Sequence, residues 1–248
     1  MRSRYQTTSG IVLRRRSRPN GDVLITLLGR GGKWQALARA GRSSAGNAGR
    51  LSLFNDVSVQ FYRRKADDLP IVTQVTLNGM LPDLSAPALY PLAHYLAELC
   101  DALTVEVDYG EPLYEYLASG LRGLCRSADP ERVALVYAWG MLRVAGLAPR
   151  SSSCPHCGRP EGLIRLDIPA GSFSCSTCQT GRPLDPDTAA ELRTVTAGSV
   201  RSGLDVQLDD RASHWQLLNH YLDFHVRRLR SSEAAQAVPE RPAGAGHA

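Results

Sequence analysis

The sequence predicts an α+β multidomain fold: an N-terminal five-stranded barrel, then a mainly helical domain with a four-cysteine module inserted among its helices. Three observations predict it. Residues 9–77 alternate apolar and polar side chains in short runs separated by Gly, Pro and Asn turns. Beyond residue 81, leucines recur at the three-four spacing of helix faces. Two Cys-x2-Cys pairs, Cys154/Cys157 and Cys175/Cys178, are separated by seventeen residues.

Ser9–Arg16 is the first strand, closed by the turn Arg18-Pro19-Asn20-Gly21, where glycine after asparagine accepts a positive φ. Val23–Leu28 is a near-continuous apolar run and is expected to be buried on both faces. After Gly29-Arg30-Gly31-Gly32 comes Lys33–Arg39, with Lys33, Gln35 and Arg39 on one side and Trp34, Ala36 and Ala38 on the other. Val57, Val59 and Phe61 alternate with Ser58, Gln60 and Tyr62, and Ile71, Thr73, Val75 and Leu77 alternate with polar neighbours. Five short strands with glycine-rich turns suit a small closed barrel, and the OB-fold is the five-stranded one. Between the third and fourth strands, Gly41–Arg50 is built of small residues that bury little. It reads as a surface loop whose two arginines could close over a ligand.

Leu89, Leu92, Leu96, Leu99 and Leu103 then mark one helix face, and Leu113, Leu117, Leu121 and Leu124 a second. Asp129-Pro130-Glu131 starts a third helix, with aspartate capping the first amides and proline at the first helical position. Asp185-Pro186-Asp187 repeats that start after the cysteines, and a last long helix is expected from about Ser213 through Arg230. Cys100 and Cys125 lie in apolar helical patterns and read as packing residues. His214, His220 and His225 do not stack on one helix face and read as structural or surface residues. The expected organisation is a barrel over 1–80, a helical domain over 81–150 and 183–230, the cysteine module over 151–182, and a disordered tail over 231–248.

Cys154, Cys157, Cys175 and Cys178 are the expected metal ligands. Each short pair lets two sulfurs face one ion from a tight turn, and two such turns supply the tetrahedral number for structural Zn2+. Four thiolates close the coordination shell, which argues against zinc catalysis. An iron–sulfur cluster, a redox dithiol or a disulfide pair are the alternatives. His156, between two ligands, reads as a solvent-facing residue of its turn.

Charge is uneven. Residues 1–80 hold 14 Arg and Lys against 4 Asp and Glu, a balance of +10. Residues 81–248 hold 15 against 20, a balance of −5, and together these give the chain's +5. A basic excess on one small module is the footprint of a polyanion binder. No run of about 18 apolar residues predicts a membrane span. The N-terminal MRSRYQTTSG lacks a secretory core, so a cytoplasmic, reduced chain is expected. Gly29-Arg-Gly-Gly-Lys33 is followed by Trp34, where a phosphate loop needs a hydroxyl residue for magnesium. No nucleophile elbow and no His-Glu-x-x-His motif is present. No catalytic residue is assigned, and a binding protein is favoured over an enzyme.

The ordered set resembles the RecO family of bacterial recombination mediators over residues 9–231. Ser9-Gly-Ile-Val-Leu-Arg14, Gly21–Leu28 followed by Lys33, Leu37-Ala-Arg39-Ala-Gly41 and Leu53-Phe54 are similar to the family's first strands and basic loop. Leu218–Leu222 through Arg228–Ser231 resembles its closing helix. The resemblance implies binding of single- and double-stranded DNA, strand annealing, pairing with RecR, contact with the C-terminal tail of single-stranded-DNA-binding protein (SSB), and help in loading RecA on gapped DNA. It also implies a nucleoid-associated location and no membrane partner. Arg14, Arg16, Lys33, Arg39 and Arg42 are the expected phosphate contacts, since guanidinium and ammonium groups neutralise phosphates without reading sequence. Trp34 and Tyr62 are weighed between base stacking and core, with core favoured. The SSB tail is expected on the acidic body beyond residue 80. Two other classes stay open: a zinc-stabilised nucleic-acid-processing enzyme, and an OB and zinc-ribbon module of transcription or RNA metabolism.

Overall fold

The computed structural model describes residues 4–39, 49–65, 68–104 and 110–238. It divides into two compact units, Met1–Cys125 and Arg126–Ala248.

The first unit is built on a closed barrel. Strands β1 (Tyr5–Ser17), β2 (Val23–Gly29), β3 (Gly32–Ala38), β4 (Asp56–Tyr62) and β5 (Ile71–Gly79) close in the order β1-β2-β3-β5-β4. The long β1 is shared: Tyr5–Ile11 pairs with β4 and Ile11–Ser17 with β2, with a bulge between Val12 and Arg14 that re-aims the strand. Alternation decides the interior. Val12, Ile25, Leu27, Ala36, Val57, Val59 and Val75 fill it, and Trp34 packs against this core and against Phe61. The barrel closes through a short parallel contact, Leu37 beside Ile71.

A 3-10 turn over Pro82–Ser85 leads to α1 (Tyr90–Leu103), and α2 (Gly110–Arg126) follows. The predicted stripes are their buried faces: Leu92, Leu96 and Leu99 on α1, and Leu113, Leu117, Leu121 and Leu124 on α2. Both helices belong to the same compact unit as the barrel, whereas the sequence groups them with the later helices. The first residue of α2 meets the β2–β3 turn backbone to backbone. A Cβ at Gly110 would stand 2.5 Å from Gly32 N and 2.8 Å from Gly32 Cα. Arg30, on that turn, pairs with Glu111 and Glu115 and lies 5.2 Å above the Tyr114 ring. Tyr114 in turn donates to Asp56 of β4 at 3.1 Å. Gly110→Ala is expected to destabilise the protein by about 1–3 kcal/mol in urea unfolding, because backbone cannot rotate out of the way as a side chain can. A change under about 0.5 kcal/mol would refute the close approach.

The second unit packs around α3 (Pro130–Val144), on which every residue from Val133 to Leu142 is buried. Asp129 caps it by accepting from Arg132 N, and Asp185 caps α4 (Pro186–Ala197) by accepting from Asp187 N, as the two Asp-Pro signals predict. Next come α5 (Val200–Asp205) and α6 (Arg211–His225), the latter capped by Asp210. Helix α6 stops five residues before the expected end. Its apolar stripe lapses after Leu222, and His225 is held by Ile168 O at 2.7 Å. Residues assigned to a disordered tail differ as well: α7 (Ser232–Gln236) forms because Ala235 is fully buried and Ser232 Oγ bonds Leu229 O. His214 lies on the structural side of its reading, 1% exposed with Nε2 2.7 Å from Glu191. Between α3 and α4 the chain makes a three-stranded sheet, β7 (Ser172–Cys175), β6 (Leu163–Asp167) and β8 (Arg182–Pro183), whose Leu163, Leu166 and Phe173 are buried.

Candidate metal centre and nucleic-acid interface

The sheet of the second unit carries the cysteines. Cys154 and Cys157 sit on a turn closed by Cys154 N→Arg159 O (2.8 Å) and Gly158 N→Cys154 O (2.9 Å). Gly158 takes the left-handed φ of 74° that its position suggests. Cys175 ends β7 and Cys178 follows on a second turn, leashed to the first side by Ser176 N→Gly162 O. The four Sγ atoms lie within 4.8 Å of one another, and Cys157 and Cys175 are 3.6 Å apart. A disulfide needs about 2.05 Å, so these are four free thiols. A tetrahedral ion at about 2.3 Å from each sulfur requires sulfurs about 3.8 Å apart, so the donor set fits zinc.

The local amides already favour thiolate. Burial alone would raise Cys154, but N–H groups of Cys175, His156 and Cys157 overcome it and lower the thiol to about 6. Cys178 is pushed up to about 12 by its hydrogen bonds to Cys157 and Cys175, which share the protons the cluster keeps. His156 is not one of the clustered donors. Its Nε2 is 2.8 Å from Asp167 Oδ2, and Asp167 Oδ1 also accepts from Ala170 N. It therefore braces the first turn against β6 instead of facing only solvent.

The five basic residues expected on DNA fall into three groups. Lys33 Nζ donates to Asp101 Oδ1 at 3.0 Å and to Asp101 O at 2.9 Å, and Arg14 pairs with Asp101 Oδ2. Asp101, on α1, is only 5% exposed. Arg16 and Arg39 are exposed, and Arg42 lies outside the described residues.

Register explains why Arg16 and Arg39 belong together and what joins them. Tyr5 pairs with Tyr62, Tyr62 with Ile71, Ile71 with Leu37, Leu37 with Leu24 and Leu24 with Arg16. That path comes back to β1 eleven residues further on, so the barrel is strongly staggered: the end of β1 and the β1–β2 turn lie across β2 from the end of β3, whereas the chain entering β1 and the chain leaving β4 meet at the other end of β1. The first of these places carries Arg16, Arg18 and Arg39, and the second Arg4 together with Arg63, Arg64 and Lys65. Sequence reasoning missed the last three, although a run of three cations directly after a predicted strand was a visible signal. Tyr62, weighed between core and stacking, is half-buried, with its ring 5.3 Å from that of Tyr5. Among the described residues no helix is long and apolar enough to cross a membrane.

A basic OB barrel followed by helices that carry a tetracysteine module defines a class of multidomain OB-fold protein with a cysteine-cluster insertion able to hold a metal ion. The family model described as Recombination protein O N terminal matches residues 1–80, and that described as Recombination protein O C terminal matches residues 85–233. The chain belongs to the RecO family of DNA repair proteins. It is 31% identical to DNA repair protein RecO of Anaeromyxobacter sp. (strain K) over 236 residues, covering 89% of this chain and 91% of the relative. It is 32% identical to DNA repair protein RecO of Streptomyces avermitilis over 242 residues, covering 90% and 95%.

Proposed function

We propose that this protein is a non-enzymatic recombination mediator of the cytoplasm and nucleoid. It binds single- and double-stranded DNA, anneals complementary strands and, with RecR, helps load RecA on SSB-coated gaps. The observation that carries the reading is two groups of exposed cations on the barrel, Arg16, Arg18 and Arg39 by the β1–β2 turn, and Arg4, Arg64 and Lys65 where the start of β1 pairs with the end of β4. Exposed cations neutralise phosphates and release counterions, independent of sequence. Arg42, the fifth cation proposed for phosphate, follows β3 in the chain outside the described residues. Arg14 and Lys33 serve the joint with α1 through Asp101 instead. Annealing needs no covalent step, because two strands held on one protein meet at raised effective concentration.

Zn2+ is the ion proposed for Cys154, Cys157, Cys175 and Cys178, with a structural role. The barrel of 1–80 is the DNA module, and the acidic chain beyond residue 80 is the surface proposed for the SSB tail.

The test is fluorescence anisotropy over a range of salt with mixed-sequence single strands and duplex. The logarithmic salt slope is expected to be about −0.7 per contact on single strands and −0.9 on duplex. Arg39→Ala is expected to weaken all sequences equally and to make the slope shallower by nearly one contact. Wild type that binds neither form of DNA would overturn the reading. An unchanged slope and affinity in Arg39→Ala would remove Arg39 from the face.

A further inference from the structure

We infer that the cavity between β1, the segment entering β4 and the start of α1 takes one unpaired nucleotide of a single strand, its base among Phe54, Met80 and Tyr90 and its phosphate on Arg15. This rests on the proposed DNA binding and assigns the place where a base leaves the strand.

The cavity measures about 660 Å3, within the range of roughly 300–1,000 Å3 that small ligands occupy. Backbone bonds to β1 build one wall. Phe54 N donates to Val12 O at 3.0 Å, and Asn55 O accepts from Val12 N at 2.9 Å. Held on both sides by Val12, Phe54 takes a left-handed φ of 69°, uncommon for a bulky residue. Its side chain is buried and meets the Tyr90 ring edge-on, with centroids 5.7 Å apart. Tyr90 opens α1 at 42% exposure, and Met80, just after β5, is 55% exposed. Large apolar side chains left open around a concave site mark a place that a ligand covers.

Two polar groups decide what fits. Asn55 is only 9% exposed and is anchored through Nδ2, which donates to Arg50 O at 3.1 Å. Its Oδ1 has no hydrogen-bond partner among the described residues, and Asn55 lines the cavity, so this oxygen is left to accept from whatever fills it. Arg15 lines the cavity as well, exposed and without an ion pair among the described residues, one residue along β1 from Arg16. None of the described residues that line the cavity is acidic. A phosphate beside Arg15, a planar ring among Phe54, Met80 and Tyr90, and an amine donor at Asn55 are the parts of one nucleotide. A leucine or phenylalanine of an acidic peptide would leave Asn55 Oδ1 unpaired and cut off from water, which costs that group its hydration. A duplex keeps its bases paired and stacked, so it reaches Arg15 alone.

The experiment compares wild type, Tyr90→Ala, Tyr90→Phe and Arg15→Ala in fluorescence anisotropy with oligo-dA, an abasic strand and a blunt duplex of equal length. Thermal melts show that each variant is folded. Wild type is expected to hold oligo-dA more tightly than the abasic strand, and equal affinity would overturn the pocket whatever the variants do. Tyr90→Ala is expected to weaken oligo-dA binding about tenfold, and to change abasic-strand and duplex binding less than about twofold. Tyr90→Phe is expected to keep wild-type affinity, since the ring and not the hydroxyl holds the base. Arg15→Ala is expected to weaken all three alike and to make the salt slope shallower by nearly one contact. Equal losses on all three nucleic acids in Tyr90→Ala would overturn the pocket. So would no loss on any of them, and the cavity would then suit an acidic peptide instead. Wild type that binds none of the three refutes the DNA reading beneath the pocket.

Discussion

Cys154→Ser is expected to release the metal ion and leave residues 151–182 without a fixed fold in reduced protein. The module has little else to close it. Its sheet holds only five, four and two residues per strand, and the first turn, closed on itself by Cys154 N→Arg159 O, is tied to the sheet through the His156–Asp167 pair. For small zinc modules, metal binding and folding are one free-energy term, about 10–16 kcal/mol in isolated peptides at neutral pH. Serine keeps the size but does not give up its proton at neutral pH. Affinity therefore falls by more than the 10- to 100-fold typical of losing a supporting contact. The consequence reaches α4, because Leu163, Leu166 and Phe173 are core residues of the second unit. Elemental analysis and thermal melting with and without chelator measure both effects. DNA affinity is expected to fall less, since the basic residues belong to the first unit. Fresh reduced wild type with neither zinc nor iron would overturn the metal assignment, and iron in place of zinc would make the cluster an iron–sulfur site.

The cysteine cluster was legible in sequence because its geometry is local. Two residues between thiols fix a turn, and glycine after the second thiol supplies the positive φ that Gly158 shows. The capped helix starts at Asp129 and Asp185 were legible for the same reason, since cap and amide lie two or three residues apart. The partners of charged residues were not. Arg14 and Lys33 look like Arg16 and Arg39 in sequence, yet Asp101 lies 87 and 68 residues away from them. Alternation places a side chain inside or outside a barrel but does not say which helix covers the outside. The basic groups were hidden by register: Arg4 and Arg63 become neighbours only when β1 pairs with β4, and Arg16 and Arg39 only when β1 and β3 pair with β2 on its two sides. His156 shows the limit from the other side. Its spacing places it on the metal turn, but the carboxylate that orients it comes from β6.

Asp101→Ala is expected to cost about 3 kcal/mol of stability, seen as a lower urea midpoint with little change in slope. The carboxylate is buried on α1 and is met by two cations from the barrel, Lys33 of β3 and Arg14 of β1. The Lys33 side chain is 23% exposed and the Arg14 side chain 45%, so the two lose different amounts when Asp101 goes. Arg14 turns to water. Lys33 is mostly covered and keeps Asp101 O as an acceptor, beside the Cys100 thiol, which burial pushes up to about 12 and so holds neutral. A charge left in that position costs more than the pair contributes when whole, which is why removing the acid is worse than removing both partners. Lys33→Met is accordingly expected to cost less than Asp101→Ala, since the apolar stem is kept and Asp101 still has Arg14. In the double variant the Asp101→Ala penalty is expected to shrink, and the difference is the coupling energy of the pair. Raising salt to 1 M is expected to leave most of the effect in place, because covered charges are poorly screened. A loss under about 0.5 kcal/mol in Asp101→Ala, or strict additivity in the cycle, would show that the carboxylate does not hold the barrel to α1. Arg14 and Lys33 would then return to the residues available for phosphate.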